Sequence, residues 1–278
     1  MLRCIFVSDL HGKKEKYTKL FEFIDEDNPD AVLMGGDLLS ITMRTKAQVK
    51  TFTKKYIFDK IKNLDEPTKF FVILGNDDPK IFEPIFEEAD KKELIDYVSC
   101  KTLPFDDYFV TGYPYIPPTP FHLKDWEKYD VSRYRDVGVV SPEKGSRTVE
   151  IPENEVRYST ITKDLERLGN NSPAEKTIYL FHSPPYSTNL DRADLDDKKI
   201  DHVPLDVHVG SIAIKRFIEK KQPLLTLHGH VHETVRLTGE WKEKIGRTHS
   251  FTAVHKGTEL AIIRFQMEDL DNASREII

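Results

Sequence analysis

The sequence predicts an α/β fold that opens with a parallel sheet. Five short apolar runs, Cys4–Val7, Ala31–Met34, Phe70–Leu74, Ile178–Phe181 and Leu224–Leu227, are bounded by turn-forming residues. Runs of this length suit strands covered on both faces. Up to Asn76 they alternate with amphipathic stretches, and a strand–helix–strand–helix–strand order implies parallel strands joined by right-handed crossovers. Each run is also followed closely by Asp, Asn or His at a turn, and in open α/β sheets ligands sit beyond the carboxyl ends of the strands.

After the first run, Lys13–Asp27 places Tyr17, Leu20, Phe21 and Ile24 on one face at helical spacing, and Asn28-Pro29 stops the helix. Ala47–Leu64 is a second amphipathic helix, with Phe52, Tyr56, Ile57, Ile61 and Leu64 on its apolar side and Glu66-Pro67 at its end. The stretch from Pro104 to Pro152 breaks this rhythm with many prolines and with Tyr113, Tyr115, Phe121, Trp126, Tyr129 and Tyr134 beside Arg133 and Arg135. Its aromatics argue for order, and a connection this long is more often functional than incidental. It shields a sheet edge or caps the site, and the second reading is preferred because loops near a site set specificity. Thr160–Leu168 is helical, Ser211 is placed to cap a helix Ile212–Lys220, and Leu260–Phe265 is a strand. The polar end, Glu268–Ile278, reads as loose. With no internal repeat, the chain is expected to be one domain, residues 1–278, carrying an inserted cap-like segment at about 104–152.

With 38% hydrophobic and 32% charged residues the composition is that of a folded globular chain. A net charge of −6 argues against a protein that coats nucleic acid, because that binding needs clustered Lys and Arg. Cys4 and Cys100 are the only cysteines and form no C-x-x-C pair, so thiol-based metal or redox chemistry is not expected, and they read as small apolar residues. No charged-then-apolar leader opens the chain and no apolar stretch approaches a membrane span, so the expected location is the cytoplasm.

The polar residues at the run ends are Asp9-Leu10-His11, Gly36-Asp37, Gly75-Asn76-Asp77, His182 and His228-Gly229-His230-Val231-His232. Singly, each Asp or Asn is as readily a turn residue or helix cap. Together, five strand ends offering N and O donors point to a metalloenzyme. This ordered set, D-x-H, G-D, G-N, a lone His and G-H-x-H from Asp9 to His232, resembles the calcineurin-like metallophosphoesterases. Phe181–Tyr186, His208–Ser211 and Leu227–Glu233 resemble, within that family, the small cytosolic phosphoesterases grouped with its cyclic-nucleotide phosphodiesterase-like members.

The resemblance implies a four-layer α/β/β/α sandwich, two mixed sheets face to face with helices outside. It also implies a metal-dependent phosphoesterase that hydrolyses a phosphodiester or related ester with two divalent ions and an activated water. Carried onto this chain, the ligands are Asp9, His11, Asp37, Asn76, His182, His230 and His232, with Asp37 bridging. In an extended Asp-x-His, alternate residues face one side, so Asp9 and His11 would reach the same ion. Four imidazoles favour Mn, Fe, Zn or Ni over Mg or Ca. His228 is not required by the motif and is left out of the set.

Asp77 stands where the family's usual residue is His. A carboxylate there is anionic near neutrality unless its pKa is raised, so Asp77 either acts as a protonated acid or orients another group. In the second case His208, or more remotely His202, supplies the leaving-group proton. Loss of that His favours diester or anhydride substrates, whose leaving groups need less help. Two other readings stand beside a small phosphate-ester substrate: a nuclease of the same chemistry, for which the chain lacks a basic strip, and a scaffold without activity, which would have eroded ligands.

Overall fold

The computed structural model describes residues 1–278. From the N-terminus run β1 (Arg3–Val7), α1 (Lys14–Asp27), β2 (Ala31–Gly35), α2 (Lys46–Thr53), a π turn (Lys54–Phe58), α3 (Asp59–Lys62), β3 (Lys69–Ile73), α4 (Glu83–Lys91) and β4 (Asp96–Tyr97). Then come β5 (Thr102–Phe105), β6 (Tyr108–Tyr113), α5 (Glu153–Tyr158), α6 (Ile161–Leu168) and β7 (Thr177–Phe181). A small hairpin, β8 (Lys199–Ile200) and β9 (Val203–Pro204), precedes α7 (Ile212–Lys221), β10 (Leu225–His228), α8 (Thr234–Thr238), β11 (Lys242–Ile245), β12 (Thr248–Thr252), β13 (Ala261–Gln266) and β14 (Asp269–Ile277).

The strands form two six-stranded mixed sheets, in the orders β14-β13-β1-β2-β3-β4 and β11-β12-β10-β7-β6-β5. β1 to β4 are parallel, as the alternation of runs and helices requires. Side chains on a strand alternate between faces, and this sorts the core. Cys4, Phe6, Leu33 and Phe71 of one sheet meet Ile178, Leu180, Leu227 and Phe251 of the other. Ile5, Val7, Val32 and Val72, one position out of phase, pack under Tyr17, Leu20, Phe21, Ile24 and Phe52 of the helices. Tyr179 and Phe181 do the same under Leu165, Phe217 and Ile218. Each such fully buried side chain contributes about 1.5–3 kcal/mol of transfer free energy. The result is the four-layer sandwich. No helix is long and apolar enough to cross a membrane.

Local signals set the helix ends. α1 stops where Asn28 turns left-handed (φ 47°) and its N–H bonds the Ile24 carbonyl. Ser211 Oγ accepts the Ile214 N–H at 3.0 Å and so caps α7, while Asp130 adds a second acceptor, 2.7 Å from the Ile212 N–H. The helix expected over Ala47–Leu64 is interrupted: the Asp59 N–H reaches back to the Lys54 carbonyl, a π turn. The extra residue rotates the apolar stripe so that Phe52, Ile57 and Phe58 all stay buried.

Two expectations are corrected. The polar terminus is not loose, because Asp269–Ile277 pairs antiparallel with β13 and places Leu270 and Ala273 against the core. The Pro104–Pro152 stretch does not begin as a loop, because Pro104 lies in β5 and Tyr113 ends β6, inside the second sheet. Tyr113 and Trp126 are fully buried, so neither offers a ring to a substrate. Residues 114–152 instead brace the loop after β3. The Trp126 indole N–H donates to the Asp78 carbonyl at 2.7 Å, and the Lys80 N–H donates to Asp125 at 2.8 Å.

Candidate metal centre

The residues named from the sequence gather at the carboxyl ends of β1, β2, β3, β7 and β10. Four of them, Asp9 (φ 58°), His11 (φ 49°), Asp37 (φ 52°) and His230 (φ 75°), are left-handed without being glycine. Such conformations cost of order 1–3 kcal/mol each and concentrate at functional sites. They also correct the route by which Asp9 and His11 converge. β1 ends at Val7, and it is the left-handed turn, held by the Asp9 N–H on the Gly36 carbonyl and the His11 N–H on the Asp37 carbonyl, that aims both side chains inward.

The donors form two halves around Asp37. In one half, Asp9, His11, Asp37 and His232 can each offer a ligand atom within 4.8 Å of the others. His232 Nε2 lies 3.0 Å from Asp9 Oδ1 and 3.0 Å from His11 Nε2. In the other half, His182 Nε2 is 2.9 Å from Asn76 Oδ1 and 3.4 Å from Asp37 Oδ2, and the His182 and His230 rings are 5.4 Å apart. Asp37 Oδ2 is 4.0 Å from His11 Nε2 as well, so one carboxylate faces both halves.

The second half needs a positive charge. His182 Nδ1 is 2.8 Å from the Gly35 carbonyl, a pure acceptor, so Nδ1 carries a proton. His182 Nε2 then points at two oxygens, Asn76 Oδ1 and Asp37 Oδ2. The Asn76 amide cannot turn to help, because its Nδ2 donates to Asp77 Oδ1 at 3.0 Å. Burial opposes charge on His182, but Asp37, Asp9 and the Gly35 carbonyl outweigh it and lift this imidazole to about 10. A second proton on His182 or a metal ion meets the same need, and the N and O donor set fits a metal ion.

Electrostatics leave the remaining candidate donors with lone pairs free for a metal ion. Burial works against ionisation of Asp9, yet His232, His182 and His11 hold its carboxyl well below the usual range. Burial is likewise overcome at Asp37 by His182, leaving its carboxyl lowered. Burial and the neighbouring His182 push His230 down to about 3, so it is a neutral imidazole. Glycines let the strand ends close: a Cβ on Gly229 would collide with Ser8 Oγ and the Asp9 carboxylate, and one on Gly75 with Asp37.

Asp77 joins the site as a neighbour of ligand candidates. Its N–H donates to Asp37 Oδ1 at 2.8 Å, its Oδ1 fixes the Asn76 amide, and its Oδ2 is 3.6 Å from His11 Nδ1. Burial and the Asp37 charge raise its carboxyl to about 6. His208 is not brought to the cluster by any hydrogen bond or ion pair; its Nδ1 lies 2.7 Å from the buried Asp191. His202 sits exposed at the tip of the β8–β9 hairpin. His228 is buried and neutral, lowered to about 4 by burial, and its Nδ1 lies 2.9 Å from the Ser183 carbonyl, steadying the loop after His182.

Two residues that carry the site gave little signal in the sequence. Asp78 is fully buried, and its carboxylate accepts the N–H groups of Leu38 (3.0 Å), Leu39 (2.7 Å) and Gly75 (2.9 Å). It thereby ties the Asp37 loop to the Asn76 loop. The hint was its place between the Gly75-Asn76 pair and Pro79. Lys16, on the buried face of α1, donates from Nζ to the Asp9 carbonyl at 3.2 Å.

Fold and cluster together define a two-sheet α/β protein with a candidate metal-ligand set at its strand ends. The chain belongs to the calcineurin-like phosphoesterases, whose family model matches residues 2–234, and it is a metal-dependent phosphoesterase of that family. An uncharacterized protein of Methanocaldococcus jannaschii, MJ1162, is 23% identical over 250 residues, covering 89% of this chain and 85% of that protein. Two solved structures share the fold. TT1561 of Thermus thermophilus is 17% identical, with a TM-score of 0.57 over 99% of this chain and 98% of that one. A dimetal phosphatase from Danio rerio is 9% identical, with a TM-score of 0.57 over 95% and 91%.

Proposed function

We propose that this chain hydrolyses a small phosphate ester, a diester or anhydride in preference to an alkyl monoester. Asp9, His11 and His232 would hold one divalent ion and Asn76, His182 and His230 a second, with Asp37 serving both. The observation that carries this reading is the convergence of Asp9, His11, Asp37 and His232, whose ligand atoms lie within 4.8 Å of one another, with His182 and Asn76 on the other side of Asp37. Mn, Fe, Zn or Ni suits so many imidazoles. When bound, the ions supply polarisation of the phosphate oxygens and a water of lowered pKa.

The chain's own residues do the positioning. Gly35 and Asp77 fix His182 and Asn76 so that Nε2 and Oδ1 sit 2.9 Å apart, where both would face the second ion. Asp9 is locked by the His230 N–H at 3.1 Å. Asp77 acts here as the group that orients Asn76 and His11. A carboxylate in this place cannot protonate an alkoxide unless it is itself protonated. Substrates whose leaving groups are weak bases therefore suit the site. Segment 114–152 belongs to the same single domain and acts mainly as a brace for the Asn76 loop. A cytoplasmic setting and a place among the cyclic-nucleotide phosphodiesterase-like members belong to this proposal too.

Turnover of bis-p-nitrophenyl phosphate by protein reloaded with each of the four metals tests the reading. The expected result is hydrolysis that is lost on chelation and restored by metal. Metal-loaded protein inert to every diester and anhydride offered would instead favour a scaffold. The role of Asp77 has its own test. Asp77→His introduces an imidazolium able to donate to a leaving oxygen, and is expected to raise monoester relative to diester turnover by about tenfold or more. An unchanged ratio would mean this position does not set leaving-group preference.

A further inference from the structure

A cavity of about 350 Å³ opens beside the Asp9–His232 half of the cluster. Beyond the candidate ligands, its wall holds Lys13, Lys16, His255 and Lys256 with Ser40, Ile41 and Gly257, and Asp77 is its one further carboxylate. The lysines come from two distant segments, the start of α1 and the turn before β13. Lys13 Nζ donates to the Gly257 carbonyl at 3.0 Å, joining the two walls. His255 is already engaged with Glu259, 3.3 Å away. Lys256 is exposed and makes neither a hydrogen bond nor an ion pair.

Lys16 is the most informative of these. It is 2% exposed, and its ammonium has one partner, the uncharged Asp9 carbonyl at 3.2 Å. An ammonium has three N–H donors, so two are left for whatever fills the cavity. The Asp9 and Glu259 charges act on this ammonium but neither carboxylate bonds it, so its burial stays costly, and an anion in the cavity would offset that cost. The bond to the Asp9 main chain sets this ammonium immediately beside the catalytic cluster. An anion held there would adjoin the phosphoryl group at the centre.

We propose that this wall is a subsite for a second phosphoryl group, so that the substrate is an organic diphosphate gripped by Lys13, Lys16 and Lys256. The proposal rests on the phosphoesterase reading of the adjoining centre. Ile41, 70% exposed at the cavity edge, offers an apolar surface to the organic group. The chemistry agrees with Asp77. Attack by water forms one P–O bond and breaks the bridging P–O bond. The water's proton passes to solvent, and the departing phosphate is too weak a base to need a proton from the protein.

The test is calorimetric binding to metal-loaded protein, with metal in excess, of adenosine 5′-(α,β-methylene)diphosphate and of adenosine 5′-phosphate. The wild type is expected to bind the diphosphate analogue about tenfold more tightly, and the exposed pair Lys13→Met/Lys256→Met to lose most of that ratio. Lys16→Met, if it folds, should lower it further. Equal affinities in the wild type, or an unchanged ratio in the double variant, would overturn the subsite. Binding needs no turnover, so the two readings separate. A diphosphate preference in a protein inert to phosphoesters would sink the enzymatic reading alone, and turnover without the preference would sink the subsite alone.

Discussion

Asp37→Asn is expected to lower diester turnover by about a thousandfold, or roughly 4 kcal/mol in the barrier, and to reduce bound metal from two equivalents to one or fewer. The magnitude follows from position. Asp37 is 2% exposed, and its Oδ2 lies 3.4 Å from His182 Nε2 and 4.0 Å from His11 Nε2. No other carboxylate lies within 4.0 Å of both imidazoles. An amide in its place keeps the shape and one acceptor oxygen but removes the charge. Its NH2 group would then face either the second half of the cluster or the Asp77 N–H that Asp37 Oδ1 now accepts. Metal analysis and steady-state kinetics on the same preparation check this. Two full equivalents with unchanged turnover would remove Asp37 from the bridging role.

Asp78→Ala is expected to be the most destabilising single change near the site, by about 3–5 kcal/mol, a fall in Tm of about 10 °C. Three buried N–H groups, those of Leu38, Leu39 and Gly75, lose their acceptor at once, and each unpaired buried donor costs about 1–3 kcal/mol. Asp78→Asn retains one oxygen and should fall between wild type and Ala. Thermal unfolding of metal-free protein is the right measurement, because lost metal binding would otherwise add to the shift. A change under about 1 kcal/mol in the Ala variant would mean that water satisfies those amides and that the two loops do not depend on Asp78.

The two variants also mark what the sequence can and cannot reveal. Asp37 was legible because it follows a buried run and a glycine, and because its partners stand at other run ends in a set order. Asp78 was not, since its partners Leu38 and Leu39 lie 40 and 39 residues away and contribute only main-chain N–H groups, which leave no trace in composition. The left-handed turns at Asp9, His11, Asp37 and His230 were hidden for a related reason. Glycine advertises such a backbone, whereas here tertiary hydrogen bonds impose it on residues chosen for their donors.

The misread parts of the fold have similar causes. β14 is rich in charges and buries little beyond Leu270 and Ala273, so its pattern resembled a solvated tail; its pairing with β13 supplies what its side chains lack. In the Pro104 stretch the prolines masked two strands, because Pro104 occupies an edge strand, where a missing N–H is tolerated. The π turn at Lys54–Phe58 left the apolar spacing of the second helix close to regular, so periodicity alone could not show it.

One buried set of strand-end donors is expected to hold two ions, both of them needed for hydrolysis. Stepwise titration of metal-free protein with Mn2+, following bound metal and diester turnover together, tests it directly. The expected result is two equivalents bound and turnover that saturates only as the second site fills. Full activity at one equivalent, or two bound equivalents with no turnover of any phosphoester, would contradict it.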